Sequence, residues 1–169
     1  MPIFPKRNKV PLGIYIHVPF CRSKCHYCDF YSLPCKERDE ELMDDYTKAV
    51  CEHIKEAGSL APGYKVDTIY FGGGTPSFFG SAGLSSILAA VRRSFDVDVG
   101  AEITVECNPD SVTDKLLHRL RAEGFNRVSL GVQCADDAIL KTIGRPHTFA
   151  QARSAVDRIR RAGFTNLPM

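Results

Sequence analysis

The spacing of apolar side chains changes period repeatedly along this chain. Leu12 to Val18 is a β-rich run closed by Pro19. From Asp39 to Ala57 the positions Leu42, Tyr46, Ala49, Val50, His53 and Ile54 follow helical spacing, and Gly58 ends the run. Val66–Phe71 predicts a second strand, followed by the glycine turn "GGGTP" and a helix from about Ala82 to Ser94. "AEITVEC", Ala101–Cys107, predicts a third strand, which Asn108-Pro109-Asp110 breaks. A helix from about Asp114 to Glu123 stops at Gly124, and Arg127–Val132 predicts a fourth strand. Asp136–Ile143 reads as a short helix. Phe149–Ala162 reads as a last one, with Ala152, Ala155, Val156 and Ile159 on one face.

Two helix exits repeat, "AEGFNRVSL" and "RAGFTNLPM", with Gly124 and Gly163 39 residues apart. In each, glycine ends the helix, phenylalanine packs the turn and a strand begins, so a fifth strand is expected to start at Asn166. This alternation predicts an α/β fold with a parallel sheet and helices on its outer face. The carboxyl ends of such strands converge on one site. A cysteine loop after the first strand, "GGGTP" after the second and "ECNPD" at the end of the third all fall there.

Composition narrows the classes. The 169 residues, 44% of them hydrophobic, suffice for one domain with a sizeable core. A formal charge of +2 argues against a broad nucleic-acid face. The basic opening "PKRNK" is short, broken by Pro2 and Pro5, and not followed by an apolar stretch, which argues against a leader peptide. No apolar run approaches a membrane span. Seven cysteines is an odd number, and Cys35, Cys51, Cys107 and Cys134 are scattered, unlike a secreted disulfide framework. Reduced thiols and a cytoplasmic location are expected.

The remaining cysteines stand apart: "YIHVPFCRSKCHYCDF" places Cys21, Cys25 and Cys28 on one tight loop as C-x3-C-x2-C. Thiolates at this density serve zinc, an iron–sulfur cluster or an ordinary core. A structural zinc site would pair them with a second pair of ligands, and none stands at such spacing. A [4Fe–4S] cube takes four thiolates, so three leave one iron open to a small chelating molecule.

C-x3-C-x2-C with Tyr27 directly before the last cysteine resembles the radical S-adenosylmethionine (radical SAM) signature. That resemblance implies a partial (β/α) barrel, a [4Fe–4S] cluster and S-adenosylmethionine held at its open iron. In that superfamily the reduced cluster cleaves the sulfonium to a 5′-deoxyadenosyl radical. With "YFGGGTPS", "ITVECNPD", "NRVSLGVQ" and "IGRPH", the chain resembles the anaerobic coproporphyrinogen oxidase-like group from about Gly13 onward. Carried over residue by residue, this implies cluster ligation by Cys21, Cys25 and Cys28. It implies S-adenosylmethionine contacts from Tyr15, Tyr27, Gly73, Gly74, Thr75, Glu106, Gln133 and Arg145. Gly73 and Gly74 would let backbone approach the ligand. Glu106 and Gln133 would bond ribose hydroxyls or an amine, and Arg145 would offer a planar fork to a carboxylate. Taken singly, each has a plainer reading as a tight turn, a solvated strand end or a loop charge.

Elsewhere, Cys35, Cys51, Cys107 and Cys134 read as structural. His17 reads as a locally bonded strand histidine, His26 as solvent-facing, and Ser32 and His147 carry no assignment. Within the resembled group, the dehydrogenases add a cysteine two places after the third, where this chain has Phe30. The segment ahead of the first strand is also shorter here. Both departures point to the heme chaperone branch, with heme or porphyrin, a respiratory heme acceptor and a flavodoxin- or ferredoxin-type electron donor as partners. A coproporphyrinogen dehydrogenase and a catalytically silent iron–sulfur module are the alternatives. The resemblance implies about six β/α units, and four strands with the beginning of a fifth are visible. Residues 1–169 are therefore expected to be the N-terminal part of a radical SAM core.

Overall fold

The structure, a computed structural model, describes residues 9–169. The basic opening through Asn8 lies outside the described residues. The elements run β1 (Val10–Val18), β2 (Phe20–Cys21), β3 (Leu33–Pro34), α1 (Glu40–Ser59), β4 (Tyr64–Gly73) and α2 (Pro76–Phe79). They continue with α3 (Ser81–Ser94), β5 (Val97–Cys107), α4 (Asp114–Ala122), β6 (Arg127–Leu130), α5 (Asp137–Thr142) and α6 (Phe149–Arg161).

The main sheet has the order β1-β4-β5-β6, and every pairing in it is parallel. Strand order in space equals strand order in the chain, with a helix in each crossover, which is how a segment of a β/α barrel is laid out. Asn166 forms a parallel bridge to Arg127, and the Val128 and Leu130 amides donate to the Asn166 and Pro168 carbonyls at 3.1 and 2.9 Å. The expected fifth strand thus begins where the second helix exit places it.

Alternation along the strands gives the sheet two unlike faces. Ile16, Val18, Ile69, Phe71, Ile103, Val105, Val128 and Leu130 are buried in one core with the apolar sides of the helices. The opposite face carries Tyr15, His17, Tyr70, Thr104, Glu106 and Ser129. Both exit phenylalanines, Phe125 and Phe164, are fully buried, and Phe125 lies 5.2 Å from Phe71 between ring centroids. The glycines before them hold φ of +95° and +88°, a left-handed conformation that ends a helix without a Cβ penalty. Helix starts carry their own signals. Asp39 and Thr113 accept from the Leu42 and Leu116 amides, and Thr148 with Gln151 closes a capping box.

β1 starts at Val10 rather than Leu12 and β4 spans Tyr64–Gly73 rather than Val66–Phe71, and three further features differ from the sequence expectation. β5 begins at Val97 rather than Ala101, its polar start held by a 2.6 Å ion pair from Lys65 to Asp98 on the neighbouring strands. β6 stops at Leu130 rather than Val132, because the Val132 amide turns back to the Leu130 carbonyl at 2.9 Å in a three-residue turn. The "GGGTP" turn leads first into α2, with Pro76 at its first position, before α3 begins.

Leu117 is fully buried at the centre of the core, whereas Leu42 on α1 is 43% exposed. Leu117→Ala is expected to cost about 2–5 kcal/mol and Leu42→Ala within about 0.5 kcal/mol. Urea unfolding of both variants checks this, and equal midpoints would contradict the placement of the core.

Candidate cluster and cofactor site

The carboxyl ends of β1, β4, β5 and β6 open on a cavity of about 310 Å³. Cys21, Cys25 and Cys28 line it together with Tyr27, Gly73, Gly74, Thr75, Glu106, Gln133 and Arg145. Ten residues proposed from sequence thus meet in one concavity although they span 125 positions of chain (21 to 145). Tyr15 does not line it. Tyr15 is 55% exposed and stacks on Tyr70 at 6.0 Å between centroids, one residue away from the cavity wall.

The cysteine loop is fixed at both ends by backbone. The Leu33 amide donates to the Pro19 carbonyl and the Cys35 amide to the Cys21 carbonyl, each at 2.7 Å, closing the small β2–β3 pair around it. Cys35, read as structural from the sequence, supplies one of these two closing bonds through its backbone amide. His26 is exposed as expected, yet it anchors the loop's middle: its backbone amide donates to the Ile143 carbonyl at 3.1 Å, and Nδ1–H to the Thr142 carbonyl at 2.9 Å. His17 is held locally. A carbonyl can only accept, so Nε2–H donates to Tyr31 O at 2.8 Å and Nδ1 accepts from the Tyr15 hydroxyl at 3.2 Å.

Gly73 and Gly74 line the cavity, but the fold itself requires them. At Gly73 φ is +107° and a Cβ would lie 2.6 Å from the His17 ring; at Gly74 it would lie 2.8 Å from the backbone of Val18 and Phe20. Their small size serves the joint between β1 and β4 as well as any ligand. Glu106 Oε1 accepts from the Tyr70 hydroxyl at 2.7 Å and Oε2 from the Gly73 amide at 3.1 Å, which fixes the carboxylate at the cavity wall. Burial, and then the bond to Glu106, push the Tyr70 phenol up to about 12.

Arg145 reaches across from the loop after α5. Nη2 donates to Asn108 Oδ1 at 2.8 Å and to the Gly131 carbonyl at 2.6 Å, and Nη1 to Cys25 Sγ at 3.6 Å. Asn108 donates through Nδ2 to Thr75 Oγ1 at 3.1 Å, and that hydroxyl lies 3.4 Å from Cys21 Sγ. In the sequence Asn108 reads only as a strand breaker. Its single polar side chain beside Pro109 gave no sign that it joins two others. Burial pushes the Cys21 thiol up, with Thr75 opposing and the Cys28 and Cys25 charges adding to the rise. Burial likewise raises Tyr27 against the Arg145 charge.

The residues fit an iron–sulfur cluster with a chelating ligand. The donor set is three soft thiols lining the cavity together with a carboxylate and a guanidinium, the latter touching Cys25 Sγ at 3.6 Å. Among the described residues no three His, Cys, Asp or Glu side chains converge closely enough for a single metal ion. A cube offers each thiolate its own corner and takes donors set further apart. Arg145 Nε is buried without a hydrogen-bond partner among the described residues, a donor still available to an anionic ligand group. Cys107 also borders the cavity but is buried, and burial pushes its thiol up to about 12, which keeps it unreactive.

The chain matches the radical SAM superfamily over residues 15–168, and it belongs to that superfamily. It is 37% identical over 162 residues to the heme chaperone HemW of Lactococcus lactis, covering 93% of this chain and 40% of that protein. It is 36% identical over 165 residues to the oxygen-independent coproporphyrinogen III oxidase of Bradyrhizobium diazoefficiens, covering 95% of this chain and 36% of that one. The solved structure of coproporphyrinogen III oxidase (HemN) from Escherichia coli superposes with a TM-score of 0.85 at 31% identity, over 94% of this chain and 36% of that one. The chain thus spans about 40% of the length of the curated relatives it matches.

His147 is buried beside Arg145, with Nε2–H on the Val132 carbonyl and Nδ1 without a partner among the described residues. Burial first, and then the Arg145 charge, lower its pKa from the usual 6.5. The folded state resists the proton that the unfolded chain accepts, so stability is full above about pH 6.5 and falls as pH drops below it. His147→Gln is expected to flatten that fall between about pH 6.5 and 5. Denaturation midpoints across this range check it, and an unchanged slope would remove His147 as the cause.

Proposed function

We propose that this chain carries the cluster- and S-adenosylmethionine-binding site of a heme chaperone of the coproporphyrinogen oxidase-like group. Cys21, Cys25 and Cys28 ligate a [4Fe–4S] cluster. Glu106, fixed by Tyr70 and the Gly73 amide, accepts from hydroxyl or amine groups of the ligand, and Arg145 Nε–H meets its carboxylate. Tyr27 and Gln133 close the cavity around the adenosine part. When bound, the cluster supplies an electron source beside the sulfonium; the protein residues orient the ligand and keep the cysteine loop shut.

The observation that carries the choice of branch is Phe30. It lines the cavity mouth and is 60% exposed, at the position where the dehydrogenases of the resembled group have a further cysteine. An apolar ring there cannot ligate or donate hydrogen. The relatives named as heme chaperones support the same branch. The reading as a coproporphyrinogen dehydrogenase is second, supported by the relatives and the solved structure of that name.

Anaerobic reconstitution tests the site. Cys25→Ser is expected to lose the cluster's iron and its visible absorbance, whereas Cys51→Ser on α1 keeps both; equal iron in the two variants would overturn the assignment.

Heme titration and product analysis test the branch. The reconstituted protein is expected to bind heme in stoichiometric amount and to yield no vinyl product from coproporphyrinogen under reducing conditions. Vinyl product would move the chain to the dehydrogenase branch.

A further inference from the structure

We propose that Asn108 is a positioning residue that sets the reduction potential of the cluster by aiming two hydrogen bonds at its thiolates. This rests on Cys21, Cys25 and Cys28 being the cluster ligands, as argued above, and adds an unequal treatment of the three.

The geometry is a branched chain of donors. Asn108 Nδ2–H is given to Thr75 Oγ1 at 3.1 Å, which occupies a lone pair of that hydroxyl and leaves its own proton free for Cys21 Sγ at 3.4 Å. Asn108 Oδ1 accepts Arg145 Nη2–H at 2.8 Å, which holds the guanidinium so that Nη1–H reaches Cys25 Sγ at 3.6 Å. A side-chain amide suits this role because it donates at one end and accepts at the other. Asn108 is itself locked, its backbone amide donating to Ser77 Oγ at 3.1 Å and its carbonyl accepting from the Ser111 amide and hydroxyl. No side-chain donor reaches Cys28 Sγ among the described residues; the Cys28 backbone amide turns to the Cys25 carbonyl instead.

Donors aimed at a thiolate stabilise the more electron-rich, reduced state of a cluster and raise its potential. One amide therefore poises the cluster from two sides, and the iron on Cys28 lacks that support.

The test is a mediated redox titration of the reconstituted protein, followed by paramagnetic resonance without S-adenosylmethionine, so that ligand binding by Arg145 does not enter. Asn108→Ala is expected to lower the midpoint by about a tenfold loss in the reduction equilibrium, about 59 mV for one electron. Thr75→Val is expected to lower it part of the way, and Thr75→Ser to restore the parent value. A merely structural role would change iron content without moving the midpoint. Unchanged midpoints in both Asn108→Ala and Thr75→Val, at full iron content, would overturn the proposal. If Asn108→Ala fails to assemble, the Thr75→Val and Thr75→Ser pair decides it alone. Absence of a cluster in the parent protein would instead overturn the underlying assignment of the cysteines.

Discussion

A guanidinium brought in from the far end of the chain meets three segments that share no local sequence: the cysteine loop at Cys25, the corner after β5 at Asn108, and the corner after β6 at Gly131. Each of those segments is irregular backbone at the carboxyl end of a parallel strand, where the sheet's own hydrogen bonds have run out. Without a cross-link their relative positions would be set only by the strands beneath them. A planar group with five donors in a fixed fork suits this position, since it can satisfy several acceptors in one plane. A lysine at 145 would keep the charge and lose the plane. The same contacts leave Nε unpaired among the described residues, so the group that organises the corners also has one donor left for a ligand.

The organisation works because the sheet separates its duties by face. The outer face is apolar and continuous with the helices, so burial fixes the strands in place. The opposite face carries Tyr70, Thr104, Glu106 and Ser129, where a packed α/β barrel interior would carry branched aliphatic side chains. Polar groups on that face bond one another: Arg127 donates to Thr104, Tyr70 to Glu106. Such a face has a cost in hydrophobic burial, and it provides a wall already furnished with acceptors and donors at the strand ends.

Period, caps and helix exits were legible because each follows from local chemistry. Phe125 and Phe164 are buried in equivalent places because the glycine before each permits the same left-handed exit. The cysteine triad was legible because thiols at that spacing have few other uses. The pairing of Asn108 with Thr75 and Arg145 was not, because it depends on which strand corners become neighbours, and that is decided by sheet order. Gly73 and Gly74 were legible as glycines but for an incomplete reason: the ring of His17 and the backbone of Val18 and Phe20 exclude a Cβ before any ligand does. Tyr15 shows the same limit from the other side. Its motif position implies direct contact with a ligand, and the fold sets its ring against Tyr70 and its hydroxyl on His17 Nδ1, next to the lining residues Glu106 and Gly73.

The Tyr70–Glu106 bond gives the site a direction. A carboxylate that already accepts from a phenol and a backbone amide keeps its remaining lone pairs for groups that donate, and it is held too firmly to swing away. The Arg145 guanidinium, also on the lining, keeps Nε–H without a partner among the described residues. The lining of the 310 Å³ cavity is thus chemically uneven, with acceptor sites at Glu106 and donor sites at Arg145. The three thiols stand on the wall beside both. That unevenness comes from the fold itself, since the acceptors stand at the end of β5 and the donors arrive on the loop after α5, each already fixed by bonds to its neighbours.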